Sequence, residues 1–462
     1  MSASNLTRRG ALGRGAAAAA GLALPTIFTG TARAFTNEPR GKTVTLGFAV
    51  PQTGPYADEG DDELRALQLA VEHLNGGGDG GMLATFSSTA LDGSGILGRK
   101  VDFVAGDTRT DPDAARDAVK GMIGKDGAVM ITGGSSSDVA ITVQDLCQDA
   151  GVIFMAGLSH SNDTTGRNKR ANGFRQFFNA YMSGAALAPV LVKQYGADRK
   201  AVHLTADYTW GWTQQASIQA ATEALGWQTV DNILTPLDTS DFSDFVQQAM
   251  ESGADVLILN HYGGNMVNSL TNAVQSGLRD RQVNGKQVEI VVPLYSRLMA
   301  SGAGENVKGI LGTTNWHWSL PDAGSQALTK SFTARYGAPP SQAAHTCYVQ
   351  TLLYADAVTR AGSFAPCAVV EALAGGDSSL PGISSGANKG FLFDGLGNGP
   401  TLYRGADHQC FKDVLVVRGK ERPSSEFDLL EIVEVTPTAQ IWYEPDNPMF
   451  AGGDLGTCND GS

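Results

Sequence analysis

Two glycine-bearing motifs have the spacing of known chemical sites, but neither lies in the context that its chemistry needs. Gly93–Gly98 reads G-x-G-x-x-G, and a dinucleotide-binding loop of that pattern must leave a strand and open a helix. Here the glycines precede a predicted strand, which favours a turn. Gly382–Gly386 reads G-x-S-x-G around Ser384, and a nucleophile elbow needs a strand before it and a helix after it. This segment lies instead in a loop rich in Gly and Ser.

Histidine and cysteine, the usual transition-metal ligands, show no metal-binding arrangement in the sequence. The seven histidines include no H-E-x-x-H grouping and the five cysteines no C-x-x-C pair, so neither a metal nor a cofactor is expected. Cys147 falls inside an apolar helical pattern and is predicted to be a buried thiol. Disulfides can form in an exported chain. Cys347 with Cys367 and Cys410 with Cys458 are the predicted pairs, and five free thiols are the alternative.

One loop has the residue types that hold an anion. Gly133-Gly134-Ser135-Ser136-Ser137-Asp138 joins the predicted strand Ala128–Thr132 to a predicted helix. Its hydroxyls and the first amides of the helix are good donors for a carboxylate or carbonyl oxygen. An N-cap role for Ser137 or Asp138 accounts for the same residues, and the two roles are compatible. The loop is therefore a predicted ligand contact.

A repeated pattern of strand followed by helix must position this loop. Thr43–Val50 alternates in hydrophobicity, and a helical spacing of apolar residues follows it. The first series continues with the strand Val101–Val104, the helix Ala114–Ile123, the strand Ala128–Thr132, the helix Asp138–Ala150 and the strand Val152–Met155. Such alternation predicts a parallel sheet with helices on both faces.

The pattern restarts near residue 200 and predicts a second lobe of the same kind. Its elements are the strand Ala201–Thr205, the helix Gly211–Leu225, the strand Val256–Asn260, the helix Met266–Ser276 and the strand Val288–Val292. Beyond them the sequence predicts a helical segment that returns to the first lobe (Gln326–Gly362), three short strands (Phe391–Phe393, Val414–Arg418 and Leu429–Val435) and an irregular end (Glu444–Ser462).

The fold class that follows is α/β, with two doubly wound parallel-sheet lobes joined by a multi-strand hinge. The predicted division assigns residues 43–176 and about 314–385 to the first lobe, 177–313 and about 386–440 to the second, and 441–462 to an irregular tail. Ligands of such sheets bind beyond the carboxyl ends of the strands. Two facing lobes would therefore enclose one cleft that closes by hinge motion.

The first 34 residues indicate an export signal. Arg8-Arg9 precedes an Ala-rich apolar run from Gly15 to Gly30, and Ala32-Arg33-Ala34 is a small-x-small cleavage site. The paired arginines favour the twin-arginine route. A membrane anchor is the alternative, but the run is shorter than the ~20 residues of a span and Pro25 interrupts it. Cleavage leaves 30 basic and 47 acidic residues, a net charge of −17, which argues against nucleic acid or anionic lipid as a partner.

Several motifs, in this order, resemble those of the periplasmic leucine/isoleucine/valine-binding proteins. They are Thr43–Val50 with the following Pro51-Gln52-Thr53-Gly54-Pro55-Tyr56-Ala57, then Leu97-Gly98-Arg99-Lys100, Asp107-Thr108, the Ser-rich loop, Asp207-Tyr208-Thr209-Trp210-Gly211 and Gly309-Ile310-Leu311-Gly312-Thr313-Thr314. The resemblance runs from about residue 43 to residue 400. It implies a type I periplasmic binding fold, in a family whose members also bind urea, amides and aromatic acids.

The resemblance also implies which residues hold the ligand. In the family, a hydroxyl of the Ser-rich loop and groups after the fourth strand hold the ligand carboxylate. The corresponding residues are Ser135, Ser136 or Ser137, with Ser137 favoured, and Leu158 (through its backbone), Ser159, His160 or Ser161. Two aromatic residues of the second lobe fall on Trp210 and Tyr262, where an aromatic face covers an apolar side chain or attracts an ammonium group. Buried core is the alternative for both.

This sequence lacks one feature of the family. Amino-acid binders place an acidic residue near the position of Pro293 to meet the α-ammonium, but the segment here reads Pro293-Leu294-Tyr295-Ser296-Arg297. Enclosing an ammonium without a counter-charge is costly, so an α-amino acid is expected only if Glu59 or Asp207 takes that role. Tyr295 and Arg297 would suit a neutral amide or a carboxylate. Trp316 and Trp318 either wall the cleft or pack the hinge.

The function implied by the resemblance is that of a monomeric, periplasmic solute-binding component of an ABC importer, and not that of an enzyme. The first lobe would meet a small polar molecule, the second would close over it, and the closed form would dock on permease subunits in the inner membrane. A periplasmic ligand sensor of the same fold is the first alternative. A serine hydrolase that uses Ser384 is the second.

Overall fold

The protein is described from a computed structural model that covers residues 35–85, 91–393, 397–450 and 452–461. The predicted export signal, residues 1 to 34, lies outside these ranges. Within them, no helix combines the length and the apolar character that crossing a membrane requires.

The first lobe is built on a sheet of five parallel strands. These are β1 (Thr43–Val50), β2 (Lys100–Asp107), β3 (Met130–Gly133), β4 (Ile153–Ala156) and β5 (Gly173–Arg175). Their order across the sheet is β2-β1-β3-β4-β5. The connecting helices are α1 (Ala57–Leu74), α2 (Pro112–Gly124) and α3 (Ser137–Ala150).

The second lobe alternates helix and strand in the same way. Its elements are α4 (Ala180–Tyr195), β6 (Lys200–Ala206), α5 (Thr209–Glu223), β7 (Gln228–Thr235), α6 (Ser243–Glu251), β8 (Val256–Asn260), α7 (Gly263–Gln275), β9 (Gln282–Val283), β10 (Lys286–Gln287), β11 (Glu289–Leu294), α8 (Arg297–Ala303) and β12 (Leu311–Thr314). Strands β9 and β10 form a separate antiparallel pair.

After β12 the chain returns to the first lobe, and its last strands then complete the sheet of the second. The remaining elements are α9 (Ala323–Tyr336), α10 (Gln342–Ala361), α11 (Pro366–Ala374), β13 (Gly390–Phe393), β14 (Thr401–Arg404), β15 (Cys410–Phe411), β16 (Val414–Gly419), β17 (Leu430–Thr436) and α12 (Thr438–Ile441). Strands β16 and β17 extend the second sheet in antiparallel fashion, in the order β17-β16-β12-β11-β8-β6-β7. Strands β13 to β15 form a small antiparallel sheet of their own.

Each large sheet has its own apolar core. One face of the first sheet is covered by α1, α10 and α11, through residues such as Leu67, Tyr348 and Leu373. The other face is covered by α2 and α3, through Val119 and Val143. The second sheet has a separate core. Helices on both faces of a parallel sheet confirm the predicted α/β class with two doubly wound lobes.

Local sequence signals account for the ends of several elements. The Asp111 side chain accepts a hydrogen bond from the amide of Ala114 at the start of α2, with Pro112 as the first helical residue. Gly151, with φ of 65°, ends α3 in the left-handed conformation that glycine favours. The structure also contains elements that were not predicted, among them α4, β7 and α6. The predicted helical segment Gln326–Gly362 consists of two helices, because the chain turns between α9 and α10.

The small sheet bears on the division between the lobes. Phe393, Tyr403 and Cys410 of β13 to β15 pack in the core of the first lobe, whereas Leu402 and Phe411 of the same strands pack in the core of the second. The later strands β16 and β17 do lie in the second sheet. The small sheet therefore contributes to both cores.

The predicted disulfide pairs are wrong. Cys367 in α11 is bonded to Cys458 in the C-terminal segment, whereas Cys347 and Cys410 are free thiols buried in the first core. Packing on all sides holds these two cysteines away from any partner. Cys147 is a buried free thiol, as predicted. Among the described residues, one cluster has metal-ligand types, Cys367, Cys458 and Asp460, and its two cysteines are joined in this disulfide.

The C-terminal segment runs back over both lobes. Tyr443 and Phe450 stack with ring centroids 3.9 Å apart and belong to the second core. Farther along, the amide of Asn459 donates to Asn172 Oδ1 of the first lobe, at 2.9 Å. The disulfide at Cys458 secures the end of this path to α11. The predicted irregular tail is therefore fixed by side-chain contacts and contains a 3-10 turn at Pro448–Phe450.

Candidate functional site

The Ser-rich loop lies at the carboxyl end of β3, where it leads into α3. Ser137 Oγ accepts hydrogen bonds from the backbone amides of His160, at 3.3 Å, and Ser161, at 3.1 Å. The Ser159 hydroxyl donates to the same oxygen at 3.3 Å. All these groups belong to the first lobe, so the first lobe alone fixes Ser137. Because the oxygen accepts these bonds, its own O–H is the group that it offers to a ligand.

A buried arginine holds the second ligand loop, which follows β4. The Arg175 guanidinium donates to the carbonyl oxygens of Ser159, at 3.2 Å, and of Ser161. It also donates to the side chain of Gln409, at 2.8 Å. Burial lowers the pKa of Arg175 to about 10, so the group stays cationic at neutral pH. Arg175 thereby orients the amides that converge on Ser137.

His160 is a neutral hydrogen-bond donor at the cleft. Its Nδ1 accepts the indole N–H of Trp210 at 2.9 Å, so the ring proton of the neutral form lies on Nε2. Burial, aided by the charge of Arg175, holds the pKa of His160 well below its usual range. Its Nε2 is buried and forms no hydrogen bond with the described residues. This N–H is therefore free to donate to a ligand.

Tyrosines from both lobes meet beside His160. The hydroxyls of Tyr56, from the loop after β1, and Tyr208, at the start of α5, are 2.7 Å apart. The Tyr56 ring meets the Tyr262 ring edge-on, with centroids 5.7 Å apart, and Tyr262 meets Trp210 in the same way at 6.2 Å. Gly211 permits this arrangement, since a Cβ there would lie 1.9 Å from the carbonyl oxygen of Ala206. Because Gly211 packs directly against Ala206, Tyr208 and Trp210 lie close to the end of β6.

These side chains enclose a cavity of about 10 Å³ between the lobes. Its lining consists of Tyr56, Ser136, Ser137, Leu158, His160, Tyr208, Trp210, Tyr262 and Leu294. A cavity of this size has room for roughly one water molecule. Hydrogen bonds such as Tyr56–Tyr208 and Trp210–His160 hold the two walls together here, so a larger ligand requires this cavity to widen.

Three acidic residues on α1 are buried near the cavity. Glu59 Oε1 accepts the Ser296 hydroxyl at 2.5 Å, and Glu63 Oε1 accepts the Ser135 hydroxyl at 2.6 Å. Asp62 Oδ2 accepts the amide of Ser341 at 2.8 Å and lies 3.7 Å from Nη2 of Arg297. Ser296 and Arg297 belong to the second lobe, so these contacts also join the lobes.

The burial of these acids changes their ionisation. Desolvation raises the pKa of Glu59 to about 7 and that of Glu63 to about 8, and it also raises the pKa of Asp62. Their hydrogen bonds act in the opposite direction but are weaker than desolvation. Both glutamates are therefore substantially protonated at neutral pH, and each retains an oxygen, Oε2, that makes no hydrogen bond within the described part of the chain.

The structure brings together half of the predicted ligand residues. Ser136, Ser137, Leu158, His160, Trp210 and Tyr262 line the cavity. Ser135, Ser159 and Ser161 stand behind this wall, where their hydroxyls bond to Glu63, to Thr164 and to Thr209 respectively. Glu59 lines a neighbouring cavity.

Two predicted residues lie elsewhere. Tyr295 is buried in the second core, and its amide donates to Thr313. Asp207 accepts the Trp212 indole N–H at 2.9 Å on the exposed side. Trp316 packs the hinge, because its ring stacks on His345 with centroids 4.5 Å apart and its indole N–H donates to Ser325.

Sequence reasoning missed Tyr56, Tyr208 and Leu294 as lining residues. All three lie at or just beyond the carboxyl end of a strand, β1, β6 or β11, which is where ligands of such sheets bind. Their position after a predicted strand could have indicated Tyr56 and Tyr208 as lining residues, since both lie in motifs that resemble those of the family.

The two dismissed motifs have the predicted surroundings. Gly93–Gly98 forms turns that lead into β2. Ser384 is exposed in an irregular segment before β13, without the strand and helix that a nucleophile elbow requires.

Comparison with known proteins agrees with this architecture. A family model described as Periplasmic binding protein matches residues 43–423. Leu/Ile/Val-binding protein homolog 7 of Brucella abortus (strain 2308) is 23% identical over 364 residues, which cover 77% of this chain and 86% of that protein.

Solved structures share the fold at lower identity. A periplasmic binding protein from Burkholderia mallei has a TM-score of 0.75 and 21% identity, covering 89% of this chain and 99% of that one. The solute binding protein of an ABC transporter from Rhodopseudomonas palustris BisB5, in complex with 3,4-dihydroxy benzoic acid, has a TM-score of 0.71 and 18% identity, covering 86% and 98%. Since the family model spans most of the sequence, from β1 to beyond β16, this chain belongs to the periplasmic binding protein family.

Proposed function

We propose that this protein is the solute-binding component of an ABC importer and that it holds a small polar ligand by a carboxylate or carbonyl oxygen between its lobes. Membership of the periplasmic binding protein family supports the role. The relatives named above include a Leu/Ile/Val-binding protein homologue and a protein that holds an aromatic acid. The ligand is a branched-chain amino acid, an amide or urea, or a related carboxylate.

The observation that carries this proposal is the pair of donors on the first lobe. His160 Nε2–H is buried and forms no hydrogen bond with the described residues, and the Ser137 hydroxyl lies in the lining of the same cavity. Both donors are uncharged. A carboxylate placed against them would receive charge-assisted hydrogen bonds, each contributing about 1.5–3 kcal/mol. A ligand oxygen would thus satisfy a donor that is otherwise costly to bury.

The arrangement favours a fixed order of events. The first lobe holds Ser137 and the 158–161 loop in place by its own contacts, so an open protein would meet the ligand there. The second lobe would then close with Trp210 and Tyr262. The closed form would present one surface made of both lobes to the permease subunits, and hinge closure is a known way to couple binding to docking.

Export to the periplasm is the remaining part of the proposal. Arg8 and Arg9 ahead of the apolar run favour the twin-arginine route. Replacing both by Lys should prevent export of the folded precursor while the charge of the segment stays the same. Continued export of the double variant at the wild-type rate would point to another secretion route.

A thermal-shift screen of the mature protein tests the proposed function. The panel contains leucine, valine, urea, short amides, benzoate and 3,4-dihydroxybenzoate, since a ligand that binds the native state raises the melting temperature. Calorimetry then gives the Kd of each hit. Ser137→Ala should weaken binding about 10- to 100-fold, because it removes a donor and leaves two amides without their acceptor.

Ser384→Ala is the matched control, since Ser384 is exposed and outside the cleft. It should leave the Kd unchanged. Ester or amide turnover that disappears in Ser384→Ala would reject the binding-protein role in favour of a hydrolase. A hit whose Kd is the same in Ser137→Ala and in the wild type would contradict the proposed cleft.

A further inference from the structure

A second and larger cavity opens between the lobes beside the Ser137 pocket. Its volume is about 260 Å³. The first lobe contributes the loop after β1 and the first turn of α1, including Tyr56, Asp58 and Glu59. The second lobe contributes α7 and α8, including Val267 and Leu298. Tyr56 lines both cavities, so the two spaces are neighbours at this residue.

The chemistry of this lining is acidic and apolar. Among the described residues that form it, the acidic ones are Asp58 and Glu59, and the rest are glycine, proline, tyrosine, methionine or aliphatic. Arg297, whose charge acts on Glu59, lies 3.7 Å from Asp62 Oδ2 and is therefore already paired. A lining of this kind disfavours an anion and suits a cation attached to an apolar chain.

Glu59 supplies an acceptor that the protein leaves unused. Its side chain is 1% exposed. Oε1 accepts the Ser296 hydroxyl, and the Tyr262 hydroxyl also faces this carboxyl group. Oε2 has no partner within hydrogen-bonding geometry in the described chain. Gly60 allows α1 to bring this carboxyl so close to the cleft, since a Cβ there would lie 1.7 Å from the carbonyl oxygen of Pro51. A buried carboxyl oxygen without a donor is unfavourable, and a ligand N–H would remove that cost.

We propose that this cavity binds the ammonium group of the ligand at Glu59 Oε2, and that the ligand is an ω-amino acid. The inference rests on the proposed function, which places the carboxylate at Ser137 and His160. An α-amino acid carries both charged groups on one carbon. The two cavities share Tyr56 alone among the described residues of their linings, so groups bound in both are separated by a spacer that passes Tyr56.

The protonation of Glu59 supports this assignment. Desolvation raises its pKa to about 7, and an ammonium group beside Oε2 would favour the ionised form. The titratable and charged neighbours that face it are Asp62, Arg297 and Tyr262. Glu59 should therefore lose its proton when a cationic ligand binds beside it. When a neutral ligand binds, Glu59 should remain largely protonated.

The test is a set of matched ligands measured by calorimetry on the mature protein. 5-Aminovalerate carries both charged groups, valerate lacks the amine, pentylamine lacks the carboxylate, and leucine carries both groups on one carbon. We expect 5-aminovalerate to bind at least about tenfold more tightly than valerate, as a close buried charge pair provides, and more tightly than leucine. Glu59→Gln, which keeps the shape and the acceptor for Ser296, should reduce this preference to near unity without changing the Kd of valerate.

Asp207→Asn is the matched control, because Asp207 is an exposed carboxylate bonded to Trp212; it should leave the preference intact. Equal binding of valerate and 5-aminovalerate by the wild type, or a preference that survives in Glu59→Gln, would overturn the inference while leaving the carboxylate site in place. Tighter binding of leucine than of 5-aminovalerate would contradict the inference that the two charged groups of the ligand are separated by a spacer. Binding of pentylamine that depends on Glu59, with no binding of valerate, would support the ammonium subsite and reject the proposed carboxylate site.

Discussion

The two walls of the cleft obtain their hydrogen bonds in different ways. On the first wall, Ser137 Oγ accepts the amides of His160 and Ser161, and Arg175 holds the carbonyls of Ser159 and Ser161. Every donor and acceptor in this set lies in the first lobe. Separation of the lobes would therefore leave the set unchanged, and the wall is pre-organised for a ligand.

The polar groups of the second wall have their partners across the cleft. The Trp210 indole donates to His160, and the Tyr208 hydroxyl is bonded to that of Tyr56. In the same way, the Thr209 hydroxyl donates to Asp163 Oδ2 at 2.6 Å. Opening the cleft would exchange these bonds for bonds to water, so the wall is completed only by closure.

The difference assigns separate roles to the two walls. A pre-organised site reduces the ordering that binding must impose, and so the first wall should determine how strongly a ligand is recognised. Bonds that exist only in the closed form change the balance between open and closed states. The second wall should therefore determine how long the ligand is retained.

The largest expected effect is at His160. His160→Ala removes the free Nε2 donor and leaves the Trp210 indole without its acceptor, so we expect Kd to rise by about 30- to 100-fold. Calorimetry with the tightest ligand of the screen measures it. His317→Ala is the control, because His317 is also buried but bonds to Ser319 away from the cavity. If Kd rose less than about threefold in His160→Ala, the first wall would not be the main determinant of ligand recognition.

A smaller effect is expected at Trp210. Trp210→Phe keeps an aromatic ring but removes the N–H that bonds to His160 across the cleft. We expect a rise of about five- to tenfold in the dissociation rate and little change in the association rate, as for most changes at one interface. Stopped-flow fluorescence measures both rates. Trp212→Phe is the matched control, since Trp212 is 48% exposed and bonds to Asp207 outside the cavity. A change confined to the association rate would contradict the assigned role.

The sequence was sufficient for the parts of the fold in which local pattern and tertiary structure agree. The strands β1 and β8 have the predicted limits, because each is an uninterrupted buried or alternating segment. Helix α4 escaped prediction because it is buried over much of its surface and contains Pro189, which conceals the usual helical spacing. The disulfide was mispredicted because sequence spacing does not show that Cys347 and Cys410 face the core.

The candidate site divides in the same way. The Ser-rich loop was predicted from its residue types, and His160, Trp210 and Tyr262 were predicted from the family resemblance; all of them follow strand ends. The bond between Tyr56 and Tyr208 joins residues that are 152 positions apart, and no local pattern indicates such a contact. The protonation state of Glu59 depends on its burial against the second lobe. The sequence does not show this burial, because it arises only when the two lobes pack together.

The bond between these tyrosines offers a test of moderate size. Tyr56→Phe and Tyr208→Phe each remove one hydroxyl, and the double variant removes both. If the bond forms only on closure, the double-mutant cycle for ligand binding should give a coupling of about 1 kcal/mol, or roughly fivefold in Kd. The cycle is measured by calorimetry with one ligand and all four proteins. Additive effects would show that the two hydroxyls bind water or ligand independently, and the second wall would then contribute less to closure.

The smallest expected effect concerns the acids behind the first wall. Desolvation raises the pKa of Glu63 from 4.5 to about 8, so its contribution to stability is greatest at low pH and is lost as the pH rises through about 8. Glu63→Gln keeps an acceptor for Ser135 but does not titrate. It should flatten the decline in melting temperature between pH 6 and pH 9 by about 1–3 °C, with part of the slope remaining because Glu59 and Asp62 are also buried. Calorimetric melts across this range measure the effect, with the exposed Asp58→Asn as the control. Parallel curves for Glu63→Gln and the wild type would mean that Glu63 is ionised in the folded protein, and the first wall would then carry a negative charge next to the proposed carboxylate site.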